Sequence, residues 1–506
     1  MKINQVKVGI VLSYVQIFIS SAISLIYTPV MLRLLGQSEY GLYNLVSSVV
    51  SYFGLLNFGF ISAYVRFYTR AKQESEDAVA NLNGIFILVF SLMGLVALIA
   101  GGVLVFNAEL VFKTGLTAAE LEKSRILLAI MMVNLAITFP VSVLSAYVSA
   151  NERFFFQRIL SIVNSLMSPM IGLPLLLLGY QSIGLALASF ATILITTIIR
   201  IYYSFVKLHM KVRFHNMDFS VLKEVAGFSF FIFLQQIVDQ INWSVDKYII
   251  ARVAGTASVA IYAVGSSLNS YYLTFSNAIS NVFVPRINRI IIANKKNAMN
   301  EIQELFTKVG RIQALLLFLI FSGIVFFGRY FITQIYAGES YTNSYYIALL
   351  LLFPMTFPLI QDVGVEIQRA KNMHRFQCVL YLFSAIANLG ISIPLCIHFG
   401  EIGSAAGTFF TLIVANVIIM NFYYQYKIKL DVIYFWREIA KMTKGLIIPS
   451  ILGIVIVKLG IHSHLSFVLL VLLYTVCYII SMWHFAMNDY EKGIFRKLFN
   501  KLGVKV

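Results

Sequence analysis

The side chains of this chain that could do chemistry are concentrated in one apolar stretch, Val225 to Arg252, which reads VAGFSFFIFLQQIVDQINWSVDKYIIAR. The stretch is long enough to cross a bilayer, yet it carries two carboxylates and a lysine. At 100° per residue the polar side chains form one face and an adjoining stripe, namely Gln235, Asp239, Asn242 and Asp246, then Gln236 and Lys247. A charge at the membrane centre costs roughly 2.5–3.5 kcal/mol, so this face must contact water or protein. The pattern favours a polar transport cavity; the alternative is an Asp239 that only hydrogen-bonds to neighbouring helices.

The elements that must position this face are membrane-spanning helices. The 506 residues are 59% hydrophobic and only 12% charged, whereas soluble domains are about 25% charged. Apolar runs of spanning length recur from end to end, without the alternating pattern of barrel strands. We therefore predict an all-α polytopic membrane protein with fourteen transmembrane helices. They lie at about 8–31, 40–64, 83–106, 126–149, 156–178, 183–206, 226–250, 258–284, 311–336, 344–368, 377–399, 402–425, 444–461 and 465–487.

The distribution of basic residues predicts the orientation. With both termini in the cytoplasm, 31 of the 39 lysines and arginines lie on the cytoplasmic side and 8 on the outer side. Such a bias follows the positive-inside rule, so we expect a multi-pass protein of the bacterial cytoplasmic (inner) membrane with cytoplasmic N and C termini. The same placement accounts for most of the net charge of +17 without a nucleic-acid partner.

An internal repeat organises the spans. Gly36 and Tyr43 recur as Gly255 and Tyr262, and Pro174 recurs near the same offset as Pro394. An even number of spans separates the copies, so the repeat is parallel and predicts two similar six-helix bundles. The predicted organisation is an N-lobe (1–206), a cytoplasmic linker (207–224) expected to form a surface helix, a C-lobe (225–428), and two further spans with a cytoplasmic tail (429–506).

Further polar residues complete the candidate site. The repeat and the polar faces of other spans add Gln16, Asn44 and Asn269 as cavity residues. Arg66 and Arg286 stand at matching cytoplasmic helix ends, where the arginine fork could hold a phosphate; the alternative is ordinary topology anchoring. Arg252 lies at the outer end of its span. Asp362 joins Asp239 as a candidate for ion coupling.

Most enzyme classes lack support in the sequence. The three cysteines lie in apolar runs, and the sequence has no P-loop, nucleophile elbow or metal-ligand cluster. We therefore predict no metal, no cofactor and no enzymatic activity. A membrane-bound glycosyltransferase or polymerase would need an acid or base, usually with a large outer loop. The longest outer loop, about 107–125, carries only scattered carboxylates. A scaffold without transport activity would not need the polar face.

One segment carries a family resemblance. The stretch LLGQSEYGLYNLVSSVVSYFGLLNFGF, followed by Arg66, resembles the Wzx-type polysaccharide and oligosaccharide-lipid flippases. These belong to the MOP superfamily, together with the lipid II flippases and the MATE multidrug exporters. The resemblance covers the chain to about residue 428. It implies two six-helix lobes around a mostly cationic central cavity that opens alternately to each side. The implied substrate is an undecaprenyl-pyrophosphate-linked oligosaccharide used in O-antigen, capsule or exopolysaccharide biosynthesis. Polysaccharide assembly enzymes are implied as candidate partners.

Two departures help to choose among the relatives. Proton-coupled drug exporters often carry a carboxylate in the first span, and lipid II flippases usually carry charges there. Residues 8–31 contain neither Asp nor Glu. Both absences favour the oligosaccharide flippase, while a cation-coupled small-molecule exporter and a lipid II flippase stay as alternatives.

Overall fold

The computed structural model describes residues 5–112, 115–215, 219–293, 297–371, 373, 375–493 and 496. The side chains of residues 5–11, Phe228, Phe231, Asn242 and Trp243 lie outside this description. Within these ranges the chain is helical and has no β-strand. The α-helices are α1 Gln5–Phe53, α2 Phe60–Glu74, α3 Glu76–Phe106, α4 Ala108–Phe112, α5 Ala118–Ala150, α6 Phe154–Leu177, α7 Gln181–Tyr202, α8 Ser220–Ser280, α9 Val284–Ala293, α10 Ala298–Tyr330, α11 Thr342–Ile360, α12 Asp362–Ala370, α13 Arg375–Leu412, α14 Met420–Tyr423, α15 Val432–Met442, α16 Ile447–Leu459 and α17 His464–Phe485.

Eleven helical stretches of the described chain are long and apolar enough to cross a membrane, which confirms the prediction of an all-α polytopic membrane protein. Three of them contain a glycine with non-helical dihedral angles at which two helices join: Gly36, Gly255 and Gly400. Their φ angles are 73°, 81° and 58°, in the half of φ space that only glycine adopts without strain. The helices therefore continue through three places where the sequence predicts a short loop between spans.

The chain divides into two compact units. The first comprises Met1–Ala263 with Asn388–Ser404, and the second comprises Val264–Ala387 with Ala405–Val506. In the first unit α1, α3, α5, α6 and α7 pack against one another. In the second, α10 packs against α11, α15, α16 and α17. The boundary therefore falls within α8 and α13, and the division into lobes of six spans stays a prediction.

The prediction of a surface helix over 207–224 is wrong for residues 208–215, which are not helical. This segment lies instead along the start of α3. The Arg213 amide donates to the Ala80 carbonyl at 3.0 Å, and the buried amide of Asn83 donates to the Lys211 carbonyl at 2.8 Å. A Cβ at Gly84 would lie 2.0 Å from the Arg213 carbonyl oxygen. The absence of a side chain at Gly84 and the hydrogen-bond partners on α3 together favour this non-helical path.

A buried ion pair fixes the end of the second unit. Arg311 of α10 and Glu491, beyond α17, are 4% and 1% exposed, and the Arg311 Nε donates to Glu491 Oε1 at 2.6 Å. The guanidinium also donates to the carbonyls of Glu438 and Ala486 at 2.9 and 2.8 Å. A buried charge is tolerated only when it is paired and hydrogen-bonded. The pair therefore ties the segment after the last helix to α10.

Candidate functional site

The predicted polar face lies on the part of α8 that precedes Gly255. Its Asp239 is exposed, and the Asp239 Oδ1 accepts a hydrogen bond of 3.0 Å from the Gln235 side chain one turn earlier. Gln236 is partly buried, and its side-chain oxygen has no hydrogen-bond partner among the described residues. The side chain of Asn242 lies outside the described structure. An amide and a carboxylate thus lie side by side on α8.

Asp246, two turns further along α8, has a different environment. It is 1% exposed, and both carboxylate oxygens accept hydrogen bonds. The Tyr262 hydroxyl donates to Oδ2 at 2.6 Å, and the Ser404 hydroxyl donates to Oδ1 at 2.8 Å. Ser392 extends this buried cluster, because its hydroxyl donates to the Ser404 carbonyl at 3.2 Å and to the Asn388 side chain at 2.8 Å. The cluster therefore joins α8 to α13.

A further polar contact joins α8 to the second half of α1. The Gln240 amide donates to the Ser51 hydroxyl, and Ser51 lies 3.4 Å from the Ser244 hydroxyl. Closer to the start of α8, the Ser229 hydroxyl donates to the Gly59 carbonyl at 3.4 Å. Lys247 is partly buried. The polar face of α8 is therefore partly used to hold α8 against neighbouring helices.

The other predicted cavity residues have separate surroundings. Gln16 accepts a hydrogen bond from Arg158 of α6 at 3.1 Å, so a cation lies beside it. Asn44 donates to the Tyr40 carbonyl of its own helix at 2.9 Å. Asn269, in the second unit, is buried, and its side-chain oxygen has no hydrogen-bond partner in the described chain.

The predicted charged residues at the helix ends are mostly exposed. Arg66 lies in α2, Arg286 in α9 and Arg252 just before Gly255, and all three are exposed. Asp362 is partly buried and is the first residue of α12, after the interruption at Gln361 that ends α11. Arg66 belongs to the first unit and Arg286 to the second.

A cluster that the sequence reasoning missed lies where α8 passes Gly255. Oε1 of Glu120 accepts hydrogen bonds of 2.6 Å from both the Ser38 and the Thr256 hydroxyls. Beside it, a Cβ at Gly41 would lie 1.8 Å from the Thr256 carbonyl oxygen. We call Ser38, Glu120 and Thr256 the clasp. Its members come from α1, α5 and α8, which are far apart in sequence, so helical periodicity could not reveal it.

The clasp explains part of the segment SEYG, residues 38–41. Next to Ser38, the Glu39 carboxylate forms an ion pair with Lys123 and accepts hydrogen bonds from the Ser182 hydroxyl and amide at 2.5 and 3.3 Å. A carboxylate at the first turn of α7 is stabilised there by the helix dipole. The serine, glutamate and glycine of this segment therefore join α1 to α5, α7 and α8. In the sequence, the segment SEYG was the only signal that could have indicated these contacts.

Comparison with known proteins finds a family and relatives whose names refer to polysaccharide biosynthesis, O-antigen transport and teichuronic acid biosynthesis. The family model described as "Polysaccharide biosynthesis protein" matches residues 6–291. A proposed O-antigen transporter of Shigella flexneri is 22% identical over 386 residues, which are 74% of this chain and 87% of that protein. The teichuronic acid biosynthesis protein TuaB of Bacillus subtilis (strain 168) is 23% identical over 239 residues, or 47% of each chain.

Solved structures share the fold. The lipid II flippase MurJ in an inward closed conformation matches 97% of this chain and 99% of its own, with a TM-score of 0.74 and 16% identity. The MATE multidrug transporter DinF-BH matches 83% of this chain and 94% of its own, with a TM-score of 0.60 and 14% identity. At these identities the likeness concerns the fold alone.

Proposed function

Because this chain belongs to the polysaccharide biosynthesis protein family, we propose that it is a flippase for undecaprenyl-pyrophosphate-linked oligosaccharide repeat units. It would carry them across the bacterial cytoplasmic membrane for surface polysaccharide biosynthesis. The family, the two relatives and the MOP-type fold support a polysaccharide-precursor transporter. The lipid carrier, its pyrophosphate and the alternating-access cycle are our proposal.

The architecture we propose has fourteen crossings. Dividing the three longest candidate spans at Gly36, Gly255 and Gly400 supports this number. Gly36 and Gly255 are repeat partners with nearly the same dihedral angles, φ/ψ of 73°/175° and 81°/178°, which supports a parallel repeat. An even number of crossings with the observed charge bias would place both termini in the cytoplasm.

One observation carries the proposed transport role: an exposed carboxylate, Asp239, with an amide partner in a membrane-length helix. Lipid contact at that depth is costly, so the group must meet water or a polar substrate. A glycan has many hydroxyl groups, which pair well with amides and carboxylates. In this proposal the polar face of α8 contacts the glycan while the polyprenyl chain stays in the bilayer.

The pyrophosphate needs cations along its path. We propose that Arg66 and Arg286 receive it at the cytoplasmic side and that Lys247 and Arg252 help to release it outside. Both arginines of the first pair are exposed. Vesicles with Arg66 and Arg286 both changed to alanine should bind a lipid-pyrophosphate glycan less well than wild type, and Arg286→Lys should fall between. Unchanged binding in the double variant would leave both arginines as topology anchors.

We propose that the clasp closes the outer side of the path in this conformation. Ser38 and Thr256 lie in segments that the topology assigns to the outer surface, and Glu120 connects them. Opening toward the outside would then require these hydrogen bonds to break. Asp239 and Asp362 are the candidates for coupling this change to an ion.

The decisive experiment is complementation of a bacterial strain that lacks its oligosaccharide-lipid flippase. The wild-type chain should restore surface polysaccharide, and Asp239→Asn should restore much less at equal membrane levels. Asp489→Asn is the matched control, because Asp489 is exposed and lies beyond the last helix. Full activity of Asp239→Asn would reduce Asp239 to a helix-packing residue. Failure of the wild-type chain with several glycans would reject the proposed substrate class.

A second candidate is a lipid II flippase, which the 97% coverage by the MurJ fold favours over a drug exporter, since the MATE match covers 83%. Rescue of cells depleted of their lipid II flippase, without rescue of surface polysaccharide, would favour this candidate. Drug resistance conferred by expression would favour a cation-coupled MATE-type exporter.

A further inference from the structure

An apolar groove lies in the first unit between α3, α5 and α7, and none of its lining residues belongs to α8. Its volume is about 570 Å³, within the range of ligand-binding pockets, and its lining is almost wholly carbon. Ile201 and Phe205 at its edge are 43% and 41% exposed. In a membrane protein, such apolar exposed side chains face lipid chains.

Two small features of the sequence lie in the lining of the groove. Pro140 has no amide hydrogen, so the Ala136 carbonyl loses its partner within α5. Gly94 of α3 packs against this carbonyl, and a Cβ there would lie 2.7 Å from the Ala136 oxygen. The close approach is possible because Gly94 has no side chain. The groove is lined by residues of α3, α5 and α7 and by Phe205 just beyond α7.

A second, basic pocket of about 340 Å³ lies at the end of the same helices. Lys72, His209 and Lys211 line it together with Tyr68 and Tyr147. Lys72 lies over the Tyr68 ring, 5.6 Å from its centroid. His209 has a φ of 50°, a strained conformation for a residue other than glycine, of the kind often found at functional sites.

The basic pocket contains one carboxylate, Glu76, which pairs with Lys211 at 2.6 Å. The hydrogen bond and the charge of Glu76 raise the pKa of Lys211, which keeps the lysine cationic. With Lys72, the pocket keeps an excess of positive charge that suits a phosphate.

The apolar groove and the basic pocket share one face of α5. The lining residues of α5 recur once per helical turn, as single residues or adjacent pairs, from Val133 through Leu144 in the groove to Tyr147 and Asn151 in the pocket. One helical turn separates Leu144 from Tyr147. From Val133 to Leu144 the groove extends along about 17 Å of helix, close to the roughly 15 Å that one leaflet contributes to the hydrocarbon core.

We propose that the groove and the pocket together bind one anionic glycerophospholipid of the surrounding membrane, with an acyl chain in the apolar groove and the phosphate in the basic pocket. The length of the groove fits an acyl chain of a single leaflet, and the lysines supply charge complementarity to the phosphate. The lining of the groove and the pocket includes none of the residues proposed for the substrate path, so the lipid site does not depend on which glycan the protein carries. Basic pockets between membrane helices bind anionic headgroups in this way.

The test uses the full chain, purified in mild detergent and loaded with phosphatidylglycerol or phosphatidylcholine, with retained lipid counted by native mass spectrometry. Phosphatidylglycerol should be retained more strongly. Changing both Lys72 and Lys211 to glutamine should weaken its retention about tenfold or more, while the double arginine variant should keep it. Ser91→Trp, from an exposed groove position, should also weaken it by filling the groove.

Lys308→Gln is the matched control, since Lys308 forms an ion pair with Glu304 in the second unit, and it should not change retention. Equal retention of both lipids, or unchanged retention in the double glutamine variant, would overturn the proposal. Displacement of the retained lipid by undecaprenyl pyrophosphate would also overturn it, because the groove and the pocket would then belong to the substrate path. Each variant must keep the wild-type thermal midpoint, and the double arginine variant separates loss of charge from loss of fold.

Discussion

Replacing Tyr262 by phenylalanine tests whether the buried Asp246 carboxylate carries its charge. The change keeps the ring but removes the hydroxyl that donates to Asp246 at 2.6 Å. A hydrogen bond to a charged group contributes about 1.5–3 kcal/mol, against about 0.5–1.5 kcal/mol for a neutral pair. Tyr248→Phe is the matched comparison on the same helix, since the Tyr248 hydroxyl donates to the neutral Val111 carbonyl at 3.0 Å.

The expected difference can be measured by thermal unfolding of the purified chain. At about 2 °C per kcal/mol for a body of a few hundred residues, Tyr262→Phe should lower the midpoint by about 3–6 °C and Tyr248→Phe by about 1–3 °C. In an Asp246→Asn background, where the acceptor is neutral, Tyr262→Phe should cost no more than Tyr248→Phe does in the wild type. Equal shifts for the two tyrosines in the wild-type background would refute a charged Asp246.

Three further predictions concern the positions with the tightest constraints. Gly41→Ala should lower both transport and the thermal midpoint, because its methyl group would meet the Thr256 carbonyl oxygen at 1.8 Å. Transport is measured by complementation, and the midpoint by thermal unfolding in detergent. Arg311→Met should lower the free energy of unfolding by about 3–5 kcal/mol, because it leaves the Glu491 carboxylate buried without its partner, and denaturation would register the loss. Gly255→Ala should cost about 1–2 kcal/mol through its φ of 81°, seen as a lower midpoint.

The chain offers a control for each of these variants. Gly54→Ala controls for the glycine changes, since nothing lies within 4 Å of its added Cβ and its φ is not positive. Lys308→Met controls for Arg311→Met, since its ion pair with Glu304 is far more exposed than the Arg311–Glu491 pair and should contribute little. A Gly54→Ala variant as damaged as Gly41→Ala, or an Arg311→Met variant as stable as Lys308→Met, would contradict the steric and electrostatic arguments.

Periodicity correctly predicted an all-α polytopic membrane protein, because helix formation depends on residues close in sequence, while the role of the polar face stays a prediction. It placed Asp239 and Asp246 on one face of α8, but it could not predict that one is exposed and the other buried. The buried Asp246 carboxylate accepts hydrogen bonds from Ser404, which is 158 positions away in sequence, and from Tyr262. Hydrogen-bond partners from distant helices leave no periodic signal in a single sequence.

Three other features, namely the linker near Lys211, the clasp and the joint at Gly36, could not be predicted from local sequence preferences. The linker near Lys211 was predicted to be a surface helix, yet residues 208–215 are not helical, and the Lys211 carbonyl accepts a hydrogen bond from the buried Asn83 side chain. The clasp at Glu120 lies in a segment whose charges looked scattered. The sequence identified Gly36 as a repeat position. It could not show that Gly36 joins two helices, because the joint depends on the dihedral angles of Gly36, which the residue type only permits.

At Gly36 two helical parts of α1 join directly, so α1 can act as a lever with two arms of unequal length. Its long arm, residues 5–35, measures about 46 Å, and its short arm, residues 37–53, about 26 Å. Gln16 is about 30 Å from the joint along the long arm, so a swing of about 10° would displace it by about 5 Å. Such a displacement exceeds the 3.1 Å contact between Gln16 and Arg158. A disturbance at Ser38, on the short arm, would thus be amplified at the opposite end of the helix, where the first predicted cavity residue lies beside its arginine.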